Sequence, residues 1–352
     1  AAARVVYAFA IAYGVMQLIY GPLGDRLGKF RVVSHAAAAC AVAALCSALA
    51  PSLSWLTAAR AFNGAMAAGI IPLTMAWVGD NVPWEQRQAV LARLLGWTVT
   101  GMIAGQWPAG VFADTLGWRY GFGVVAACFA AATVGMRRHP PELMRAPQEQ
   151  TAGPPMGATA RMVSIARMPA ARQLLLVTAV EGALAFSALA FAPTHLHQHL
   201  GLAVSSAGAI MALYGLGGLL YSRTVQVILR HTTPLKMARA GGLLVGACWL
   251  GMAWLPHWAW ALPLCLLAGL GFYMIHNTLQ TRATQLAPAH RGTAVSLFAS
   301  ALFMGQSGGM LLAAWLVDQQ GTGAVLGGCG AGLALVGLYV ARLPPDPVKV
   351  SG

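Results

Sequence analysis

The sequence predicts an all-α membrane protein built as two pseudo-symmetric helical bundles, and three observations carry that expectation. Apolar residues fill 58% of the 352 positions and charged residues 9%, far below the roughly one quarter charged that a soluble domain carries. The apolar residues gather into eleven runs, each near the ~20 residues that a helix rising ~1.5 Å per residue needs to cross a ~30 Å hydrocarbon layer. An offset of 204 residues superimposes Arg87 on Arg291, Gly101 on Gly305, Gly105 on Gly309, Ala109 on Ala313, Asp114 on Asp318 and Gly117 on Gly321. Six matches at one offset, running from a basic turn through a helix to an acid, point to a duplicated bundle. Parallel repeats with a substrate site at their interface are a transporter arrangement.

Charged residues and Pro/Gly punctuation bound the runs near 3–21, 31–50, 54–78, 88–112, 119–136, 173–193, 203–222, 237–255, 258–281, 292–316 and 322–342. The stretch from Arg137 to Arg172 differs, being rich in Pro, Arg and Gln, and reads as a solvent-exposed linker. The expected organisation is a five-helix bundle over 1–136, a linker over 137–172, a six-helix bundle over 173–345 and a tail over 346–352. If the linker is cytoplasmic, alternation of the spans puts 19 of the 22 Lys and Arg residues on its side, leaving Arg4 and Arg119 opposite and Arg60 within a span. That asymmetry sets the orientation, with linker and C-terminus cytoplasmic. Trp55, Trp118, Trp254, Trp258 and Trp260 then fall at the extracytoplasmic ends, as an interfacial belt. The net charge of +13 is thus topological and implies no nucleic-acid partner. Six cysteines lie within apolar runs, with no CxxC and no metal-ligand spacing, and read as small core hydrophobes. The chain opens on Ala1 with no signal-peptide features and reads as lacking an N-terminal piece.

Between the first two runs lies Gly21-Pro22-Leu23-Gly24-Asp25-Arg26-Leu27-Gly28-Lys29-Phe30-Arg31. Its glycines permit a tight turn pressed against neighbouring helices, Asp25 can face a helix N-terminus, and Arg26, Lys29 and Arg31 stay at the headgroup boundary. This segment resembles the GxLxDRxGR/K signature loop of the major facilitator superfamily. There the loop joins the second and third of twelve helices, so the resemblance implies that eleven of the twelve are present and the first is missing. Arg60-Ala61-Phe62-Asn63-Gly64 resembles the family's RxxQG pattern, with Asn63 in place of Gln. Gly101, Gly105, Pro108 and Gly110 resemble the antiporter motif GxxxGPxxGG, displaced because Gln106 stands where that motif has Pro, and Gly117-Trp118-Arg119-Tyr120 resembles GWRW. The segments Ala287 to Thr293 and Met304 to Gly309 are similar to the drug:proton antiporter-like, YnfM-type branch. Gly101, Gly105, Pro108, Gly110, Gly305 and Gly309 are expected to serve helix packing and gating.

Of nine acids only Glu181 lies well inside a run. A charge at helix centre costs about 3 kcal/mol even on lenient insertion scales. A carboxyl in hydrocarbon stays neutral until water reaches it, so Glu181 is the proton-coupling candidate; the alternative is a protonated Glu bonded to a neighbouring helix. Arg60, the intramembrane base, either lines a cavity with Asn63 or snorkels to the boundary. Tyr273, His276, Asn277 and Gln280 share one helix, with His276 and Gln280 on one face; they line a cavity or bond across helices. His195, His197 and His199 near a turn point apart on a helix and lack a fourth ligand, so a solvated loop is expected and no metal. No HExxH, GxSxG or ATP motif is present. No enzyme activity and no cofactor are expected.

These readings converge on a secondary transporter working by alternating access in a bacterial cytoplasmic (inner) membrane. Its expected partners are a small-molecule substrate, protons and the lipid bilayer, and its expected state is a monomer. Proton-coupled export of apolar or amphipathic compounds is the expected activity, and a proton-coupled importer or facilitator of a polar metabolite the alternative. Asp25 should lie near the helix starting around Gly292, latching the halves on the cytoplasmic side. Asp25→Asn is therefore expected to impair transport more than folding, as measured by uptake against detergent-extracted yield.

Overall fold

The computed structural model describes residues 2–82, 108–138, 158–287 and 291–344, with scattered positions between 90 and 105. Its helices are α1 (Ala2–Leu27), α2 (Lys29–Ala48), α3 (Leu53–Ala67), α4 (Ile70–Asn81), α5 (Trp118–Arg137), α6 (Ala158–Arg167), α7 (Pro169–Leu200), α8 (Val204–His231), α9 (Pro234–Ala253), α10 (Ala261–Leu286) and α11 (Arg291–Val340). Residues 108–114 are also helical. Among the described residues, eight helical spans are long and apolar enough to cross a membrane. The last of these makes two passes, because α11 breaks at Gly321 with φ 81°. The trace supports the fold class expected from the sequence, and the described residues contain no strand.

The repeat is written in the backbone as well as in the sequence. Gly117 (φ 98°) and Gly321 (φ 81°), equivalent at the 204 offset, are two of only four described residues with positive φ. Each turns the chain between consecutive helices in a conformation that a Cβ disfavours. The C-terminal half holds a continuous core in which Trp249, Leu196, Met211, Ile275 and Leu326 are fully buried. Glycines let its helices meet backbone to backbone: Gly242 on Gly337, Gly246 on Gly330 and Gly241 on Gly271. Small residues allowing close approach are how membrane helices gain packing energy where lipid offers no hydrophobic gradient. In the N-terminal half a smaller cluster joins Tyr20, Val32, Val33, Ala68 and Leu73. Trp55, Trp118, Trp254, Trp258 and Trp260 are all exposed near helix ends, as a belt requires. Four cysteines are buried and all six are free, but Cys128 is exposed.

Three expectations need correction, and the third run, a single span as expected, gains a break. The signature segment is not a loop: α1 continues through Leu27, and a single residue, Gly28 at φ 90°, reverses the chain into α2. The third run is one span broken at Ala68 and Gly69, where the Tyr20 ring occupies the place a Gly69 side chain would need. Tyr20 also donates its hydroxyl to the carbonyl of Met66, 3.2 Å away, satisfying an acceptor that the break releases. Helix α7 runs to Leu200 through an internal Pro193, so His195, His197 and His199 are helical. His195 is buried and bonded to Thr322 at 2.8 Å. Finally, the 137–172 segment contains α6, whose Ile165 is buried, and the start of α7.

Candidate functional site

Helix α7 carries Glu181 at mid-length with no exposed surface. Opposite it α10 presents His276, whose Nδ1 stands 3.3 Å from Oε1 and 3.4 Å from Oε2 of the carboxyl. The hydrogen bond runs to Oε2, leaving Oε1 buried without one. An ionised carboxylate is costly to leave unpaired in hydrocarbon, and the His276 imidazole is the titratable group beside it. The His276 imidazole lies nearly parallel to Phe272, 5.2 Å between centroids, and 5.5 Å from Phe298 on α11. Phe272 and Phe298 are both buried, and their rings pack against the imidazole. The backbone geometry depends on Gly182, which presses against the carbonyl of Leu302 and draws α7 and α11 together beside Glu181.

Next to His276 on α10, Asn277 donates to the Tyr221 hydroxyl at 2.7 Å, and Tyr221 stacks on Tyr273 with centroids 6.4 Å apart. The contacts seen for this helix are bonds and stacking across to its neighbours. His276 faces the acid, whereas Asn277 and Tyr273 bond and stack across to α8. Gln280 is half-buried one turn beyond His276. Arg60 belongs to the other bundle, half-buried, with its guanidinium 4.4 Å from the Phe9 ring centroid and 5.5 Å from that of Phe122. Those cation–π contacts anchor α3 to α1 and α5. Asn63 is buried in the same bundle, and its carbonyl accepts from the Cys40 thiol at 3.9 Å. A run of rings bridges the two halves: Phe9 to Tyr13, Tyr13 to Phe303 at 4.1 Å, Phe303 to Phe186, and Phe186 to Phe272. It links the surroundings of Arg60 to those of Glu181 without bringing the charged groups together.

The expected packing glycines divide. Gly305 presses on the carbonyl of Ala179 and Gly309 on the backbone of Ala183, joining α11 to α7. Gly101 and Gly105 are exposed, with nothing within 4 Å of a Cβ among the described residues, so the packing role expected for them is not seen. Pro108 lies half-buried in the helical stretch 108–114, and Gly110 there meets the backbone of Val204 and Ser205. In the signature segment Gly24 packs on Leu73 and Gly28 makes the turn, while a Cβ at Gly21 would meet nothing within 4 Å among the described residues. Arg26 and Arg31 are exposed and Lys29 half-buried. The side chains of Asp25 and Arg291 lie outside the described residues. Sequence reasoning missed Asp114 as a site residue, although its carboxylate accepts from the N–H groups of Val204 at 3.2 Å and Ser205 at 2.5 Å. It also missed the Ser300 hydroxyl, which donates to the carbonyl of Gly14 at 2.7 Å and ties α11 to α1. Among the described residues no group of His, Cys, Asp and Glu could hold a metal ion.

Known proteins fit this architecture. An uncharacterised MFS-type transporter of Bacillus subtilis (strain 168), YceJ, is 27% identical over 337 residues, covering 92% of this chain and 82% of its own. A chloramphenicol resistance protein of Streptomyces lividans is 28% identical over 262 residues, 74% of this chain and 65% of its own. The multi-drug resistance efflux pump PmrA of Streptococcus pneumoniae serotype 4 (strain ATCC BAA-334 / TIGR4) is 28% identical over 125 residues, 36% of this chain and 31% of its own. The solved structure of the nucleoside transporter NupG superimposes with a TM-score of 0.78 over 96% of this chain and 91% of its own, at 14% identity, a likeness of fold. The profile described as Major Facilitator Superfamily matches residues 2–301. Two repeated bundles, a signature turn closed by Gly28 and this match over most of the chain lead to one conclusion: the protein belongs to the major facilitator superfamily of membrane transporters.

Proposed function

We propose that the protein exports small apolar or amphipathic compounds from the bacterial cytoplasm in exchange for protons, by alternating access between its two halves. The observation that carries this reading is the Glu181–His276 pair, a carboxyl with no exposed surface and an imidazole 3.3 Å away. Such a pair passes between a neutral and an ionic form by moving one proton. Loading it from one side and unloading it to the other couples proton flow to rocking of the bundles. Aromatic rings surround it, and the remaining intramembrane cation, Arg60, is engaged by Phe9 and Phe122. The surroundings therefore suit an apolar or amphipathic cargo better than a multiply charged metabolite. The names of the chloramphenicol resistance relative and of the efflux pump PmrA agree with export. The lysine and arginine asymmetry orients the 137–172 linker and the C-terminus to the cytoplasm, and a monomer holds both halves of the pathway.

The test is a resistance screen in bacterial cells stripped of their own exporters, followed by accumulation assays on each compound that scores. Export should collapse when the proton gradient is dissipated while ATP is held constant. Export that survives loss of the gradient, or a full panel with no protected compound, refutes the proposal.

A further inference from the structure

The turn from α7 to α8 and the end of helical stretch 108–114 lie on the membrane face opposite the linker, because α5 and α7 each cross from one to the other. On that face α8 begins without a cap of its own. Its N-cap residue is Ala203, no side chain of α8 caps it, and its first turn holds no acid. A helix start leaves free N–H groups and a partial positive charge. The acceptor comes instead from the other half of the molecule: both oxygens of Asp114 take up the N–H groups of Val204 and Ser205. The Ser205 hydroxyl and N–H, then the Val204 N–H, hold the Asp114 carboxyl below the usual carboxylate range, and nearby His197 adds to the effect. His197 itself braces the turn, its Nδ1 2.6 Å from the carbonyl of Leu202.

One turn before Asp114, on the same helix face, Gly110 lies so close to α8 that a Cβ there would come within 2.7 Å of the Val204 carbonyl and 2.8 Å of the Ser205 Cα. The two halves thus meet at two points four residues apart, a bare backbone contact and a charge-assisted bridge. Gly117 follows with φ 98° and turns the chain away. Alternating access requires the halves to part on this face in the opposite state.

We infer that Asp114, with Gly110, is the positioning residue that latches the two halves shut on the face opposite the linker, and that breaking its bond to the α8 N-terminus opens that face. The latch acts on the equilibrium between the two states and touches no cargo. It does not depend on the direction of transport or on the coupling ion.

Hydrogen–deuterium exchange on the full chain in nanodiscs tests it. In Asp114→Ala, exchange of the Val204 and Ser205 amides should rise at least about fivefold, as loss of a cap alone would give. A latch predicts a second, reciprocal change: slower exchange on the linker side, across 23–30 and 291–297, as that face closes. Ala203→Ser added to Asp114→Ala gives α8 a cap of its own. The Val204 and Ser205 amides should then recover while the linker-side protection persists. Gly110→Val keeps the carboxylate and wedges the backbones apart, so it should produce the same linker-side protection, and Asp114→Asn should give an intermediate shift if the alanine variant folds poorly. Recovery of both regions on adding Ala203→Ser, or no linker-side change in any variant, would reduce Asp114 to a local helix cap and overturn the inference.

Discussion

Glu181→Gln is expected to abolish accumulation against a gradient while leaving substrate binding and downhill movement measurable. Glutamine keeps the volume and one hydrogen-bond acceptor for His276, but it carries no proton. In a one-for-one exchange each pH unit of gradient is worth ~1.4 kcal/mol, or about tenfold in cargo. The wild type should therefore sustain roughly that ratio per pH unit in proteoliposomes, and the variant a ratio near one. His276→Asn should uncouple less completely. It removes the imidazole that meets the carboxyl at 3.3 Å but leaves the carboxyl able to protonate. An unchanged gradient dependence in Glu181→Gln would remove the pair from the coupling mechanism and leave Glu181 as an interhelical hydrogen-bonding group.

How much of this site the sequence discloses varies with the kind of contact. Glu181 stands out because it is the one acid well inside an apolar run, and burial of a lone carboxyl is costly enough to need a reason. Its pairing with His276 is not legible, since the two lie 95 positions apart and meet only through the packing of α10 beside α7. Arg60 shows the reverse case. Its position in a run is plain, but its engagement with Phe9 and Phe122 depends on how three helices pack.

Asp114 was visible as a repeat marker, and a further signal was available. The sequence gives α8 neither an N-cap side chain nor an acid in its first turn, and such a helix must find its acceptor elsewhere. Helix ends were the least legible feature. Hydropathy marks where the bilayer ends, whereas α1 and α7 continue past it to Leu27 and Leu200 because their backbone bonds close internally with or without lipid. The break at Ala68 and Gly69 carries no proline, and the Tyr20 ring and hydroxyl that stabilise it come from another helix.

Gly305→Val is expected to destabilise the fold strongly, and Gly308→Val, three residues further along the same helix, to be tolerated. A Cβ at Gly305 would run into the carbonyl and Cα of Ala179, atoms of a backbone that cannot turn aside as a side chain would. Relief requires α11 to lift away from α7. That would also separate Gly309 from Ala183 and Gly182 from Leu302, and would open the wall beside Glu181. Overpacking of a close contact typically costs 1–3 kcal/mol, and three linked backbone contacts put the penalty at the upper end, about 3 kcal/mol or more. Against a total stability on the order of 5–15 kcal/mol, that should appear as aggregated material on size-exclusion chromatography or a strongly lowered Tm. Gly308 is exposed and among the described residues has nothing within 4 Å of a Cβ, so the same side chain there should leave both measurements at wild-type values. Equal damage from the two substitutions would point to helix propensity or insertion as the cause, and would remove the close approach of α11 to α7 from the account of how the Glu181 site is built.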